Sequence, residues 1–383
     1  MIEVHPLEPA DWTALVAVLA QSFNAPPAGW DSFRERVGTE NMLVAHEAGR
    51  VVGGCAVYRM GQWWQGRSVP LGGVAGVGVV PDARGRGVAR ELMLGALRWM
   101  HARDIHVAGL YPATQRVYRS VGYEQAGERV RYEVPLDALT GFRFEVPVVQ
   151  VEPLDVRVVE EFKRRYRPAH GDLDRSDAIW LRLTQPLVGQ RYAWLIGDDG
   201  YVILGHAPAD GMHWDLEVGD LAAPSAPAMR TLLALLAGHR SLGINLRWQG
   251  ATHDPVIATL PEPRWTVKDH QRWMLRIVDL PAALRARGWA PGAEGELHLR
   301  VDDDALPHHA GNHVLTVEGG RATVVPGGRG SLVLSPRAMG PLYSGYFGAT
   351  ALRALGHANG PEESLTLADR LFAAPTPTLR EMY

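Results

Sequence analysis

Val77-Gly78-Val79-Val80-Pro81-Asp82-Ala83-Arg84-Gly85-Arg86-Gly87-Val88-Ala89-Arg90 joins an apolar run, a glycine- and arginine-rich turn and the start of a helical pattern. The apolar stretch 74–80 suits a strand covered on both faces, and Pro81 ends it because proline has no N–H for a ladder. Gly85 and Gly87 let backbone N–H groups close on a phosphate oxygen without side-chain interference. A helix is expected from about 87 to 101. Its positive end points at the same anion, with Arg84, Arg86 and Arg90 adding charge. Two other phosphate motifs are excluded: there is no Gly-Lys-Ser/Thr for a Walker loop, and the spacing is not G-x-G-x-x-G with an acidic residue placed for a ribose. The plain alternative is an arginine-rich surface turn that binds nothing.

Outward from this run the chain divides into three segments. The first, 1–139, is expected to open with a helix from Asp11 through Ser22, capped by Asp11 and apolar along Trp12, Leu15, Val16 and Leu19. Strands follow at 42–47 and 50–58, joined by a turn at Ala48-Gly49, then around 67–69 and at 74–80. Beyond the helix come a strand at 107–110, a short helix at 115–120 and a strand at 123–134. The second segment, 140–273, repeats this plan in worn form. Strands 194–196 and 201–204 flank Gly197-Asp198-Asp199-Gly200, and a strand at 214–218, a helix at 226–239 and a strand at 244–248 follow. Its connection, 219–225, holds neither arginine nor a close glycine pair, so the phosphate cradle is absent from the second copy. The third segment, 274–383, starts with a strand at 275–278 and a helix at 281–287. Strands at 296–301, 314–318, 321–325 and 331–334 and helical patterns from 335 complete it. Pro375 and Pro377 make the last residues an extended tail.

Composition bounds the function. A chain of 383 residues needs two or three cores, and 46% hydrophobic with 21% charged residues is ordinary for a soluble globular enzyme. A net charge of −3 provides no basic field to recruit nucleic acid. Lys163 and Lys268 are the only lysines, so arginine carries nearly all the positive charge. A single cysteine, Cys55, excludes an internal disulfide and a cysteine-rich metal site, and its place in an apolar strand marks a buried structural thiol rather than a nucleophile. Residues 1–12 have no signal-peptide core, and no stretch reaches the ~20 apolar residues that span a bilayer. The expected location is the cytoplasm.

Within the opening run, Arg84-x-x-Gly87-x-Ala89 resembles the [Q/R]-x-x-G-x-[G/A] signature of GNAT acetyltransferases. The resemblance implies acetyl-CoA as co-substrate. The backbone of Val77 and Val79 then faces the pantetheine amides and the thioester carbonyl, a small oxyanion site. About 30 residues later, Val117-Tyr118-Arg119-Ser120-Val121-Gly122-Tyr123 resembles the GNAT pattern of a tyrosine one helical turn before Gly-Phe/Tyr. A departing thiolate needs a proton, and a phenol of pKa ~10 against ~8.5 for a thiol is a competent acid. Tyr118 is the expected acid; Tyr123, at a strand start, reads as core.

The three-segment order resembles the enhanced intracellular survival (Eis) family of bacterial N-acetyltransferases. Met274-Leu275-Arg276-Ile277-Val278-Asp279-Leu280 and Leu342-Tyr343-Ser344-Gly345 fit its third domain. The resemblance implies an α/β (α+β) fold with tandem GNAT domains, the second without a cofactor site, and a sterol-carrier-protein-like domain. It carries cofactor contacts to Val77, Gly78, Val79, Arg84, Gly85, Arg86, Gly87, Val88, Ala89, Arg90, Ala113 and Thr114, and the proton donor to Tyr118. It makes the α-carboxylate of the last residue, Tyr383, the group that helps deprotonate a primary amine, and it implies a homohexamer. Aminoglycosides or polyamines are the expected acceptors. Acidic side chains line the amine pocket of antibiotic-modifying members, whereas Asn24 and Ala25 supply no charge here. Phe23 and Trp30 are expected to line the pocket, with Asp31 and Glu381 supplying the acid.

Other signals read as structural. Asp302-Asp303-Asp304 with His308-His309 is a solvated turn rather than a metal site, and no metal is expected. His170, Asp172 and Asp174 lie in a loop without ligand spacing, and Trp63-Trp64 is either sheet packing or an aromatic lip. Neither a membrane nor nucleic acid is an expected partner. Two rival functions stand beside small-amine acetylation: a protein lysine or N-terminal acetyltransferase, and a non-catalytic acyl-CoA sensor.

Overall fold

Two tight turns set the first half of the fold. Ala48-Gly49 and Gln65-Gly66 both take positive φ at each residue (51° and 78°, 48° and 77°), the geometry whose twist matches a hairpin. They join Met42–Glu47, Arg50–Trp64 and Arg67–Val79 into an antiparallel stack. The strands expected separately around 67–69 and at 74–80 are one strand of 13 residues. A slip in register between Gly54 and Ala56 puts Gly76 and Val77 opposite Cys55, and Gly76 sits at φ 59°. The turn glycine and the bulge glycine are what the conformation demands.

A computed structural model describes residues 1–186 and 189–383. Its large sheet runs Ile2–Pro6, Met42–Glu47, Arg50–Trp64, Arg67–Val79, Val107–Leu110, Thr266–Ile277, Glu124–Pro135, Gly243–Gly250, Trp214–Ala222, Gly200–Pro208, Tyr192–Ile196 and Val148–Val151. The two GNAT-like units share it edge to edge. Leu173–Asp174, from the second unit, reaches across to pair with Arg50–Trp64. A separate five-stranded sheet with helices Pro336–Ser344, Ala349–Ala354 and Glu362–Phe372 forms the third unit. No helix among the described residues is long and apolar enough to cross a membrane.

Two local expectations are corrected. The strand placed at 275–278 as the opening of the third segment is the end of Thr266–Ile277, which lies between Val107–Leu110 and Glu124–Pro135. Its first half is exposed and polar, so only the buried half, with Trp273, Met274, Leu275 and Ile277, reads as a strand. Asp11 precedes the helix Trp12–Phe23 but makes no side-chain cap; its carboxylate faces His46 Nε2 at 3.0 Å.

Buried charge fixes the third unit to the first. Arg276, fully buried at the end of that central strand, pairs with Asp303, and His309 Nε2 lies 2.8 Å from the same carboxylate. Asp303 is therefore not part of a solvated turn; its two neighbours in the acidic run are exposed while it is 2% exposed. Arg337 of the third unit and Arg119 of the first both donate to Glu124. Gly122, at φ 88°, lies where a Cβ would meet Arg276 and Pro336 within 3 Å.

Burial pushes the Asp303 carboxyl up, but His309 and Arg276 outweigh it and hold it at about 2. Its contribution is thus present above about pH 4 and is lost as pH falls toward 2. Removing one partner of a buried pair strands the other, at a cost of about 3–5 kcal/mol. Asp303→Asn is expected to destabilise the third unit by that order in urea denaturation at pH 7, and to abolish the acid step between pH 4 and 2.

Candidate active site

The site is built where two parallel strands part. Arg67–Val79 pairs with Val107–Leu110 only at Leu71↔Val107, Gly72↔Ala108 and Gly73↔Gly109. Beyond Gly73 and Gly109 the ladder stops, so the edge of 74–79 on that side has no strand partner. Backbone donors and acceptors there are free for an extended amide-bearing ligand. Val77 and Val79 are half-buried and Gly78 is buried.

The turn past Val80 leads to the helix Val88–His101, which starts at Gly87 without a side-chain cap. Its first N–H groups are unclaimed within the helix. Gly85 and Gly87 sit at φ 77° and 87°, and a Cβ on either would meet nothing within 4 Å. Positive φ, and not crowding, explains these glycines, and their backbone faces open space. Arg84 Nε donates to the Val79 carbonyl at 3.1 Å. Arg86 pairs with Glu47 at 2.8 Å and Arg90 with Glu91 at 2.9 Å, so much of the loop's charge is matched at the surface. Ala89 is half-buried and Val88 packs inward. On the other arm, Ala113 and Thr114 are exposed just ahead of helix Gln115–Arg119. These features suit a diphosphate-bearing thioester: an uncapped helix end, open glycine backbone and an unpaired strand edge.

Tyr118 lies on that short helix and is 8% exposed. Burial pushes its phenol up to about 12, with the nearby Cys55 adding to the effect. It stays protonated throughout the neutral range. Tyr123, 6.1 Å away ring to ring, is fully buried with its hydroxyl closed off and without a protein partner. Burial likewise pushes the Cys55 thiol up to about 12, which leaves no thiolate for nucleophilic chemistry.

The chain end reaches the same strands. Residues from Pro377 onward lie against Glu124–Pro135: the Glu128 N–H donates to Pro377 at 3.0 Å, the Leu379 N–H to Glu128 at 3.2 Å, and the Tyr111 hydroxyl to Leu379 at 2.7 Å. The Tyr383 ring lands at the parting point. A Cβ on Gly73 would lie 2.8 Å from two of its ring carbons, and one on Gly109 would lie 2.6 Å from its hydroxyl. Burial pushes that phenol well up, and its hydroxyl has no protein partner.

Of the residues expected around the amine, Phe23 and Trp30 pack together, while Asp31 and Glu381 are engaged with other side chains. Phe23 is 48% exposed and Trp30 is 8% exposed, and their rings begin a series, Phe23–Trp30–Phe33–Tyr58, at centroid spacings of 5.7, 5.4 and 6.1 Å. Asp31 turns away to accept from Trp12 Nε1 and Arg34. Glu381 is buried against Arg175, with one carboxylate oxygen unpartnered, and burial pushes its carboxyl up against the pull of Arg175 and Arg380. Phe33, which sequence reasoning missed, comes within 3.4 Å of the Cβ position of the bulge residue Gly76. Its i, i+3 relation to Trp30 was the available signal. A cavity of ≈ 440 Å³ is lined by Met60, Ser68, Asp174 and Arg175 among others. Met60 also packs over Gly73 beside the Tyr383 ring, so this cavity adjoins the parting point. Asp174, set aside as a loop residue, accepts from Ser68 at 2.6 Å on its wall.

Family models described as acetyltransferase (GNAT) domain match residues 3–126 and again 171–277, and a sterol carrier protein domain model matches 280–380. N-acetyltransferase Eis of Mycobacterium tuberculosis is 27% identical over 96% of each chain. The crystal structure of a GCN5-related N-acetyltransferase from Anabaena variabilis is 34% identical, covers all of both chains and superposes with a TM-score of 0.95. Another, from Kribbella flavida, is 30% identical over 100% of this chain and 98% of its own, with a TM-score of 0.89. With its two GNAT domains, its sterol-carrier-like third domain and its Eis homologues, the chain belongs to the GCN5-related N-acetyltransferases and is an acetyltransferase.

Proposed function

We propose that this enzyme transfers the acetyl group of acetyl-CoA to a primary amine of a small polycationic molecule, an aminoglycoside or polyamine, in a ternary complex. The observation that carries the reading is the parted strand pair, followed by an uncapped glycine-opened helix and met at the parting point by the Tyr383 ring. Bound acetyl-CoA supplies an activated acetyl carbonyl, which the amine attacks as the thiolate leaves. The Gly85–Arg90 loop and the helix end hold the diphosphate, and Val77, Gly78 and Val79 align the acyl arm through their backbone. Tyr118, kept protonated by burial, gives its proton to the departing sulfur. An α-carboxylate, of ordinary pKa ~3.5, is a weak base, so that of Tyr383 holds the ammonium and orients a water through which the amine's proton leaves to solvent, freeing the neutral amine to attack. Asp174, exposed on the wall of an open recess that adjoins the parting point, supplies a carboxylate for a cationic amine. The assembly in this reading is a hexamer, by family analogy alone.

Acetyl-CoA is expected to bind once per chain. The second unit's helix Ala226–Ala237 already has Ser225 capping the Ala228 N–H, and Pro227 removes another donor. Titration calorimetry should give one site, abolished by Gly87→Asp with Arg84→Glu; two equivalent sites would refute the assignment.

Thiol release assayed over aminoglycosides, polyamines and peptides should show turnover with the small polycations. A sensor would release no thiol. Under the same assay Tyr118→Phe should lower kcat by roughly 10–10³-fold with little change in acetyl-CoA affinity, the range for a lost general acid. Normal turnover by Tyr118→Phe with loss in Tyr123→Phe would transfer the role.

Extending or blocking the terminus tests the carboxylate. A C-terminal hexahistidine extension, or deletion of Tyr383, should cut kcat far more than acetyl-CoA binding, whereas an N-terminal tag should be harmless. Full activity in both C-terminal variants would remove the terminus from the mechanism.

A further inference from the structure

The second GNAT unit repeats the parting of the first. Trp214–Ala222 runs parallel to Gly243–Gly250 at Leu216↔Leu246 and Glu217↔Arg247, and the ladder then stops. On its other side the register against Gly200–Pro208 slips between Ile203 and Leu204, leaving Gly219 extra. The first unit shows the same sequence of events, a ladder ending at Gly73 and a slip at Gly76-Val77. Asp220, the first residue past the slip, therefore stands on the stretch that corresponds to 77–79, the acyl-arm strand. In the second unit a buried carboxylate, paired with arginine, fills that place.

What meets Asp220 is the tail. Its side chain is 1% exposed, bound by Arg175 and the Tyr201 hydroxyl, and Arg380 Nη1 approaches it to 3.3 Å. The same Arg380 nitrogen donates to the Leu221 carbonyl at 3.3 Å. Nε and the other Nη donate to the two oxygens of Asp172 at 3.2 and 3.0 Å. Asp172 is itself 1% exposed and lies just before Leu173–Asp174, the strand that crosses to the first unit. Glu381 is tied to Arg175 in the same buried group. One guanidinium is thus gripped by two carboxylates of the second unit, three residues from the chain end.

We infer that the second GNAT unit has exchanged cofactor binding for a clamp: Asp172 and Asp220 grip Arg380 and thereby position the Tyr383 terminus at the acetyl-transfer site. This rests on the terminal carboxylate's role proposed above. Three residues span at most ~10 Å, so fixing Arg380 confines the terminus, and a displacement of about 1 Å can cost a hundredfold in rate. The two aspartates and Arg380 are positioning residues; none touches the reacting atoms.

The test uses full-length enzyme carrying Arg380→Gln, Arg380→Lys or Asp172→Asn, each with a free and with an extended C-terminus. Readouts are kcat, acetyl-CoA Kd, melting temperature, and the rate at which carboxypeptidase releases Tyr383. With the free terminus, Arg380→Gln and Asp172→Asn are each expected to lower kcat about tenfold, with under threefold change in Kd, and to speed release of Tyr383 at least tenfold. Arg380→Lys should retain most activity. In the extended chain the same substitutions should cost nothing further, because the terminus is already displaced. An unchanged release rate, or an equal loss of kcat in free and extended chains, would overturn the clamp. If extension alone leaves kcat intact, the catalytic role of the terminus falls, while the release rate still decides whether the aspartates hold the tail.

Discussion

Everything at the candidate site depends on two strands that stop pairing after Gly73 and Gly109. A continued ladder would consume the backbone groups of 74–79, and no ligand could be held along them. Neither residue carries a side chain, so the space above the parting point remains for an aromatic ring brought from 270 or more residues away. Tyr383 occupies it so closely that a methyl group on either glycine would collide with the ring or its hydroxyl. The bulge at Gly76-Val77 adds to the divergence by bending one strand away from the other. Glycine is thus used here for three separate purposes: turn, bulge and close approach.

The two GNAT units show how one backbone plan supports different chemistry. Both have a parallel ladder that ends early, a slip in the outer hairpin and a following helix. In the first unit that helix starts at an uncapped glycine; in the second, a serine and a proline have satisfied or removed its leading donors. The anion-binding capacity of a helix end lies in unclaimed N–H groups, so these few residues decide it.

Charge buried between units does the joining. Arg337 with Glu124 and Arg175 with Glu381 pair residues more than 200 positions apart, and Arg276 with Asp303 pairs residues 27 apart. Such pairs cost desolvation and return it only when geometry is fixed, which makes them better at specifying one arrangement than at adding stability. The short helix bearing Tyr118 sits next to one of them, since its neighbour Arg119 shares Glu124 with the third unit.

What the sequence determined by itself was local and periodic. Hairpin turns at Ala48-Gly49, the strand before Pro81, the helix after Gly87, the short helix of Tyr118 and the burial of Cys55 and Tyr123 follow from φ requirements and apolar patterns within a few residues. The family layout was legible too, because the motifs fall in order along the chain. Contacts between distant segments were decided only by the tertiary structure. No periodicity marks Thr266–Ile277 as a strand inserted between two others, because half of it is solvent-exposed and polar. Asp303 in an acidic run and Asp172 and Asp174 beside a histidine look like surface loop residues, since the arginines or serine that bury or bind them lie 27, 208 and 106 residues away. A carboxylate's environment is set by which charge comes within 3 Å of it, and sequence spacing says nothing about that until the chain has folded.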